Sequence, residues 1–277
     1  MFKFLPITAI LLNVIPLFAQ EKTPPEKIDL DKLMIVKKGT LPIILSAPHG
    51  GRIAVPGVPV RVGNGIDKFV IANDTNTDLL TEKLAAAIKK EMGGEPYVVI
   101  AHFQRKSLDV NRQPELAYES EKAKPVYDAY HKALKDACDD VRRQWGRGLL
   151  LDIHAQAAEK DTIFRGTAGR KSVKDLETRF GAKSLHGPNS ILGALAKQGY
   201  TIFPPGDSTE AEEKRYSGGY ITSRYGSSNG TGIDAIQLET GGNHRSKDNL
   251  DKTAADFAAA IKLFHKEYLP SEKTPAK

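Results

Sequence analysis

The stretch Pro125-Val-Tyr-Asp-Ala-Tyr-His-Lys-Ala-Leu-Lys-Asp-Ala-Cys-Asp-Asp-Val-Arg-Arg-Gln-Trp145-Gly146-Arg-Gly148-Leu-Leu-Leu-Asp-Ile-His154 decides the architecture. Apolar residues recur at helical spacing from Pro125 to Trp145, and Gly146 and Gly148 then break the pattern. The apolar run Leu149–Ile153 follows at once and reads as a buried strand. Alternation along it sends Asp152 and His154 to one face, at the end of the run. The same grammar repeats outward. Leu41–Ser46, Tyr97–Ala101, Thr201–Phe203 and Ile233–Leu238 are short apolar runs expected as strands. Asp74–Met92 is expected as a helix, with Leu79, Leu80, Leu84, Ile88 and Met92 on one side and Gly93-Gly94 closing it. Ser190–Gln198 and Ala254–Tyr268 are expected as two more. Strands alternating with helices imply one three-layer α/β domain with a largely parallel sheet, whose chemistry gathers at the carboxyl ends of the strands.

Composition narrows the function classes. The chain has 277 residues, 40 basic against 34 acidic, a formal net charge of +6, and one cysteine, Cys138. A disulfide framework and a cysteine-rich zinc module are excluded, and Cys138 is expected as a small core residue of its helix. The basic excess is too diffuse for nucleic acid and suits anionic small molecules. Met1–Gln20 carries one early lysine, an apolar run and a small residue before the polar Glu21-Lys22, the layout of a cleaved secretory signal. Pro6, Asn13 and Pro16 spoil it as a spanning helix, and no cysteine follows for a lipid anchor. The expected organisation is a signal at 1–20, a polar lead-in at 21–33, one catalytic domain at 34–268 and a polar tail at 269–277. The mature protein would be periplasmic or secreted, with no stable membrane anchor.

Four polar clusters fall just after expected strands. Ser46-Ala-Pro-His49-Gly50-Gly51 puts an imidazole at the sheet edge with room for close backbone approach. Leu151-Asp152-Ile-His154 supplies a second imidazole, and two histidines on separate strand ends could share one zinc ion. Ile236-Gln-Leu-Glu239 ends in a carboxylate suited to general-base work beside such an ion. Arg105-Lys-Ser-Leu-Asp109-Val-Asn111-Arg112 could hold an anionic substrate by forked hydrogen bonds. Singly, each has a plain structural alternative. Either histidine could be a hydrogen-bonded core residue, Asp74 a helix N-cap, Asp78 ordinary helix-surface charge and the arginines surface residues. His102, His131, His186, His244 and His265 show no partner pattern and are read as non-ligands.

Taken in order, Pro48-His49-Gly50-Gly51, Asp74-Thr-Asn-Thr-Asp-Leu-Leu80, Arg105, Asp109-Val-Asn111-Arg112, Leu151-Asp-Ile-His154, Gly218-Gly-Tyr220 and Gln237-Leu-Glu239 resemble the N-formylglutamate amidohydrolase family, relatives of the zinc carboxypeptidases. The resemblance runs from about residue 40 to about residue 245. It implies an α/β/α sandwich with a mixed, mostly parallel sheet and one zinc site. It further implies His49 and His154 as metal ligands, Glu239 as the carboxylate that activates water, Arg105 as the group polarising the scissile carbonyl, and Asn111, Arg112 and Tyr220 at the substrate. The carboxypeptidases carry a glutamate three residues after the first histidine, where this chain has Arg52. The family's aspartate at the head of the next helix matches Asp74, which becomes the third ligand, with Asp78 in reserve. The expected reaction is hydrolysis of an amide beside a carboxylate, in an N-formyl or N-acyl amino acid or a short peptide. A cell-envelope binding module that keeps the fold without the chemistry is the alternative. A serine hydrolase is disfavoured because no Gly-x-Ser-x-Gly elbow occurs.

Overall fold

The structure is a computed structural model and describes residues 28–63, 65–205, 211–270 and 272–273. The expected signal at 1–20 and most of the polar lead-in lie outside the described residues. Seven strands form one sheet: β1 (Met34–Lys37), β2 (Ile43–Ala47), β3 (Tyr97–Ala101), β4 (Gly148–Ala155), β5 (Thr162–Gly166), β6 (Thr201–Phe203) and β7 (Ile233–Thr240). Their spatial order is β1-β3-β2-β4-β7-β5-β6. The centre is parallel from β3 through β7, β1 runs antiparallel to β3, and β5 runs antiparallel to β7 but parallel to β6. The helices are α1 (Leu30–Leu33), α2 (Thr77–Met92), α3 (Pro114–Ala117), α4 (Lys124–Trp145), α5 (Lys174–Phe180), α6 (Lys183–His186), α7 (Ile191–Lys197), α8 (Tyr220–Tyr225) and α9 (Leu250–Tyr268).

The sheet is apolar on both sides, as a parallel sheet covered by helices must be. On one face Ile43, Leu45, Leu149, Leu151, Ile153, Ile236 and Leu238 pack against Leu80, Leu84 and Ile88 of α2 and Phe257, Ile261 and Phe264 of α9. On the other, Ile44, Leu150 and Ala235 meet Val126, Tyr130, Leu134 and Val141 of α4 and Ile221 and Tyr225 of α8. The result is the α/β/α sandwich with a mixed sheet.

Several local expectations shift. The lead-in is not solvated to residue 33, because Leu33 closes the single turn of α1 and is buried in the α4-side core. Helix α2 begins at Thr77, so Asp74 precedes it rather than capping it, and Leu79 faces solvent while Leu80 and Leu84 carry the packing. Cys138 is buried on α4, as its spacing implies.

Candidate metal and substrate site

Strand parity builds the site. Asp152 and His154 share parity with Leu150, and Gln237 and Glu239 with Ala235, so all four face the α4 side at the carboxyl ends of β4 and β7. The parallel register sets Asp152 beside Gln237 and His154 beside Glu239. His49 sits two residues beyond β2, on a turn that must press against the start of α2. Gly50 permits this: a Cβ there would lie 2.5 Å from the Asp78 backbone amide. The His49 carbonyl then accepts from the Asp74 amide at 3.0 Å, bringing the aspartate in front of both strand ends.

His49, Asp74 and His154 converge, each offering a donor atom within 4.8 Å of the others, and the two imidazole rings stand nearly edge to face with centroids 4.9 Å apart. The expected third residue is therefore present as Asp74, and Asp78 does not join the group. Both rings use their nitrogens in the same sense. His49 Nε2 lies 2.7 Å from Asp109 Oδ1, and His154 Nε2 lies 2.8 Å from Asp152 Oδ2. Their Nδ1 atoms face Asp74 Oδ2 at 3.5 and 3.2 Å. A carboxylate behind each imidazole fixes the ring and enriches its free nitrogen, the arrangement that metal-binding histidines adopt. One atom tests the fit directly: His49 Nδ1 is buried and has no hydrogen-bond partner among the described residues. Two imidazole nitrogens and a carboxylate oxygen, one nitrogen orphaned, form a donor set that suits a divalent cation.

The charges agree. Burial alone would raise the Asp74 carboxyl, but the hydrogen bond from His154 and the charge of the two imidazoles outweigh it and hold it well below the usual carboxylate range. Burial likewise opposes a charged His154, yet Asp152, Asp74 and Glu239 raise it well above 6.5. Asp109 is also held far below its usual value, burial being overcome by His49, Arg105 and Arg61. Glu239 behaves differently. Burial pushes it up to about 7, against the pull of His154 and of Gln237, whose Nε2 donates to Glu239 Oε1 at 2.8 Å.

His49, Asp74, His154, Gln237 and Glu239 floor an open cleft of about 850 Å³ lined also by Arg105, Asn111, Arg112 and Tyr220, so every expected site residue reaches one place. Their jobs are partly structural. Arg105 Nε donates to Asp109 Oδ2 at 3.0 Å and its Nη1 lies 3.6 Å from Asp74 Oδ1. Asn111 Oδ1 accepts from the Ile221 amide at 2.9 Å, and its Nδ2 lies 3.3 Å from His154 Nε2. A Cβ on Gly219 would collide with that amide at 2.2 Å, which explains the glycine at this wall. Arg112 Nη2 donates to the Lys68 carbonyl at 2.7 Å, tying down the loop opposite. Tyr220 accepts from Arg224 Nη1 at 2.7 Å.

The profile of the N-formylglutamate amidohydrolase family matches residues 119–242, the segment that carries His154, Tyr220 and Glu239. Along this segment the chain is similar to the N-formylglutamate amidohydrolases. The N-formylglutamate deformylase of Pseudomonas aeruginosa is 24% identical over 87% of this chain and 96% of that protein. The crystal structure of the N-formylglutamate amidohydrolase from Ralstonia eutropha superposes with a TM-score of 0.58 at 15% identity, covering 85% of this chain and 98% of that one. A gene product of Agrobacterium tumefaciens gives 0.51 at 14% identity, with 86% and 95% covered. At these identities the two structures establish the shared fold.

Three residues of this amidohydrolase-like site had no role in the sequence reading. Asp109 holds both His49 and Arg105, Gln237 holds Glu239, and Arg61 lies buried 3.9 Å from Asp109 while its Nη2 donates to the carbonyls of Val70 and Arg105. The signal available for Asp109 and Gln237 was their place two residues before a residue already singled out.

Proposed function

We propose that this chain is a zinc-dependent amidohydrolase that cleaves an amide bond beside a carboxylate, with N-formylglutamate and related N-acyl amino acids as its substrate class. The convergence of His49, Asp74 and His154 next to Glu239 carries this reading. Zinc held by the three residues supplies a Lewis acid that polarises a carbonyl and brings the pKa of a water down towards about 7. The protein's own groups do the rest. Asp109 and Asp152 hold the two rings so that both Nδ1 atoms face Asp74. Glu239, buried in register beside His154, takes the proton lost by the attacking water and hands it to the departing nitrogen. Arg105, between Asp109 and Asp74, places positive charge where the carbonyl oxygen becomes negative. Arg112 gives its Nη atoms to backbone carbonyls and keeps Nε 3.9 Å from Asp109 Oδ2, so its guanidinium at the cleft wall is a charge that a substrate carboxylate can share.

A buried carboxyl in register beside a metal donor set, at the floor of an open cleft, favours chemistry over a binding module that keeps only the fold. The secretory layout of Met1–Gln20 supports an exported enzyme, a reading that cell fractionation tests. Among the described residues no helix is long and apolar enough to cross a membrane. The deciding experiment is metal analysis of the mature protein with hydrolysis of N-formyl-L-glutamate, N-acetyl amino acids and free C-terminal peptides, with and without chelator. Near one equivalent of zinc and chelator-sensitive release of the amine are expected. Inactivity of the zinc-loaded protein on all three classes would overturn the assignment.

A further inference from the structure

We infer that helix α4 sets the geometry of this site from behind, through Tyr127 and His131, which act as positioning residues by holding the backbone of Asp109–Arg112. The inference rests on the hydrolase reading above. Residues 109–112 form a turn outside any helix or strand, so no ladder fixes them. Yet the turn reaches both imidazoles: Asp109 touches His49, and Asn111 touches His154. Its third polar side chain, on Arg112, lines the substrate cleft.

The intervening carbonyls point the other way, into α4. His131 Nε2 lies 3.0 Å from the Val110 oxygen, and the Tyr127 hydroxyl donates to the Arg112 oxygen at 2.9 Å. Tyr127 and His131 are four residues apart, so one helical face grips alternate carbonyls of the turn. Both are clamped in turn. Their rings are 4.4 Å apart, and His131 Nδ1 meets the Tyr225 hydroxyl of α8 at 3.0 Å. Burial, the largest influence, pushes His131 down to about 4, so at neutrality the ring is uncharged and its one N–H belongs on Nε2, facing the carbonyl.

The two bonds serve different halves of the site. Val110 lies between the residues that face the imidazoles, so losing the His131 bond loosens Asp109 and Asn111 together. Arg112 bears on the substrate, so losing the Tyr127 hydroxyl loosens the carboxylate grip. The test measures zinc affinity, by competition with a chromogenic chelator against the metal-free protein, and kcat and KM on N-formyl-L-glutamate. His131→Phe should weaken zinc binding about tenfold, the scale seen when a metal ligand's outer partners are disturbed. His131→Gln, which returns an N–H to the carbonyl, should recover most of that loss. Tyr127→Phe should keep the zinc affinity and raise KM about fivefold with kcat little changed, as the loss of one modest hydrogen bond implies. Variants that only melt lower, with zinc affinity and KM as in the unaltered protein, would overturn the inference. So would equal zinc affinity of the phenylalanine and glutamine variants at position 131. Should the zinc-loaded protein hydrolyse nothing, the proposed function fails while the zinc measurements still decide this one.

Discussion

Replacing Asp109 with asparagine isolates the residue on which the cleft's positive groups converge. Its side chain is 1% exposed, and every close partner is a donor. Oδ1 faces His49 Nε2 at 2.7 Å and the Asn111 amide at 3.0 Å; Oδ2 accepts from Arg105 Nε at 3.0 Å, with Arg61 and Arg112 nitrogens at 3.9 Å. Asparagine keeps the shape but must turn an NH₂ toward one of these sets. It therefore loses charge-assisted bonds and leaves the buried Arg61 and the partly buried Arg105 facing a neutral group. Removing one member of a buried ionic cluster costs about 3–5 kcal/mol. For a domain of this size each kcal/mol shifts Tm by about 2–4 °C, so a fall of roughly 6–20 °C is expected. Urea titration followed by Trp145, the lone tryptophan and 5% exposed on α4, gives the free energy directly. Zinc affinity should fall about 10- to 100-fold in the same protein, because His49 loses the carboxylate behind it. A variant within about 1 kcal/mol of the parent, binding zinc equally well, would refute the view that this carboxylate organises both the imidazole and the arginines.

Two further outcomes follow from the geometry. Glu239→Gln should retain zinc and the parent's melting behaviour while kcat falls about 10²- to 10⁴-fold, the range of a lost general base; a variant at full speed removes Glu239 from the reaction. His131 titrates near 6.5 when unfolded but is pushed down to about 4 when folded, so its contribution is complete above pH 6.5 and is lost as pH falls through 4. In that window the unfolded chain binds the extra proton, and the loss amounts to about 3 kcal/mol. Urea midpoints of parent and His131→Phe at pH 7 and pH 4.5 should show a shallower pH dependence in the variant; identical slopes would refute the burial argument.

What could be read in advance was whatever the chain encodes locally. Strands β2, β3, β4 and β7 announced themselves as apolar runs because they are covered on both faces, the short edge strand β6 was legible through Ile202 and Phe203 although Thr201 is exposed, and His49, His154 and Glu239 stood out as polar residues closing buried runs. β1 did not, since Val36 and Lys37 of this edge strand face solvent and only Met34 is fully buried. β5 was hidden by Arg165, a charge inside a buried strand, tolerated because Glu212 pairs with it from 47 residues away. The site's support was illegible for the same reason. Asp109 finds His49 across 60 residues and His131 finds Tyr225 across 94, and no local spacing records either contact.

Negative charge is gathered densely at the floor of the cleft. Asp74, Asp109 and Asp152 are buried around two imidazoles, with Glu239 in register beside one of them. Such a group persists only if positive charge answers it. Arg105 and Arg61 answer Asp109, and Arg105 also reaches Asp74 Oδ1 at 3.6 Å; Asp152 and Asp74 Oδ2 turn to the imidazoles, and a raised His154 is the protein's own response. That response covers one ring. The other keeps Nδ1 without a hydrogen-bond partner among the described residues, 3.5 Å from Asp74 Oδ2, which already accepts from His154 Nδ1 and the Ala155 amide. A fold that needed only a salt bridge would have satisfied that nitrogen. Aligning both Nδ1 atoms on one oxygen, with an aspartate braced behind each ring, makes sense for a cation that takes lone pairs from all three at once.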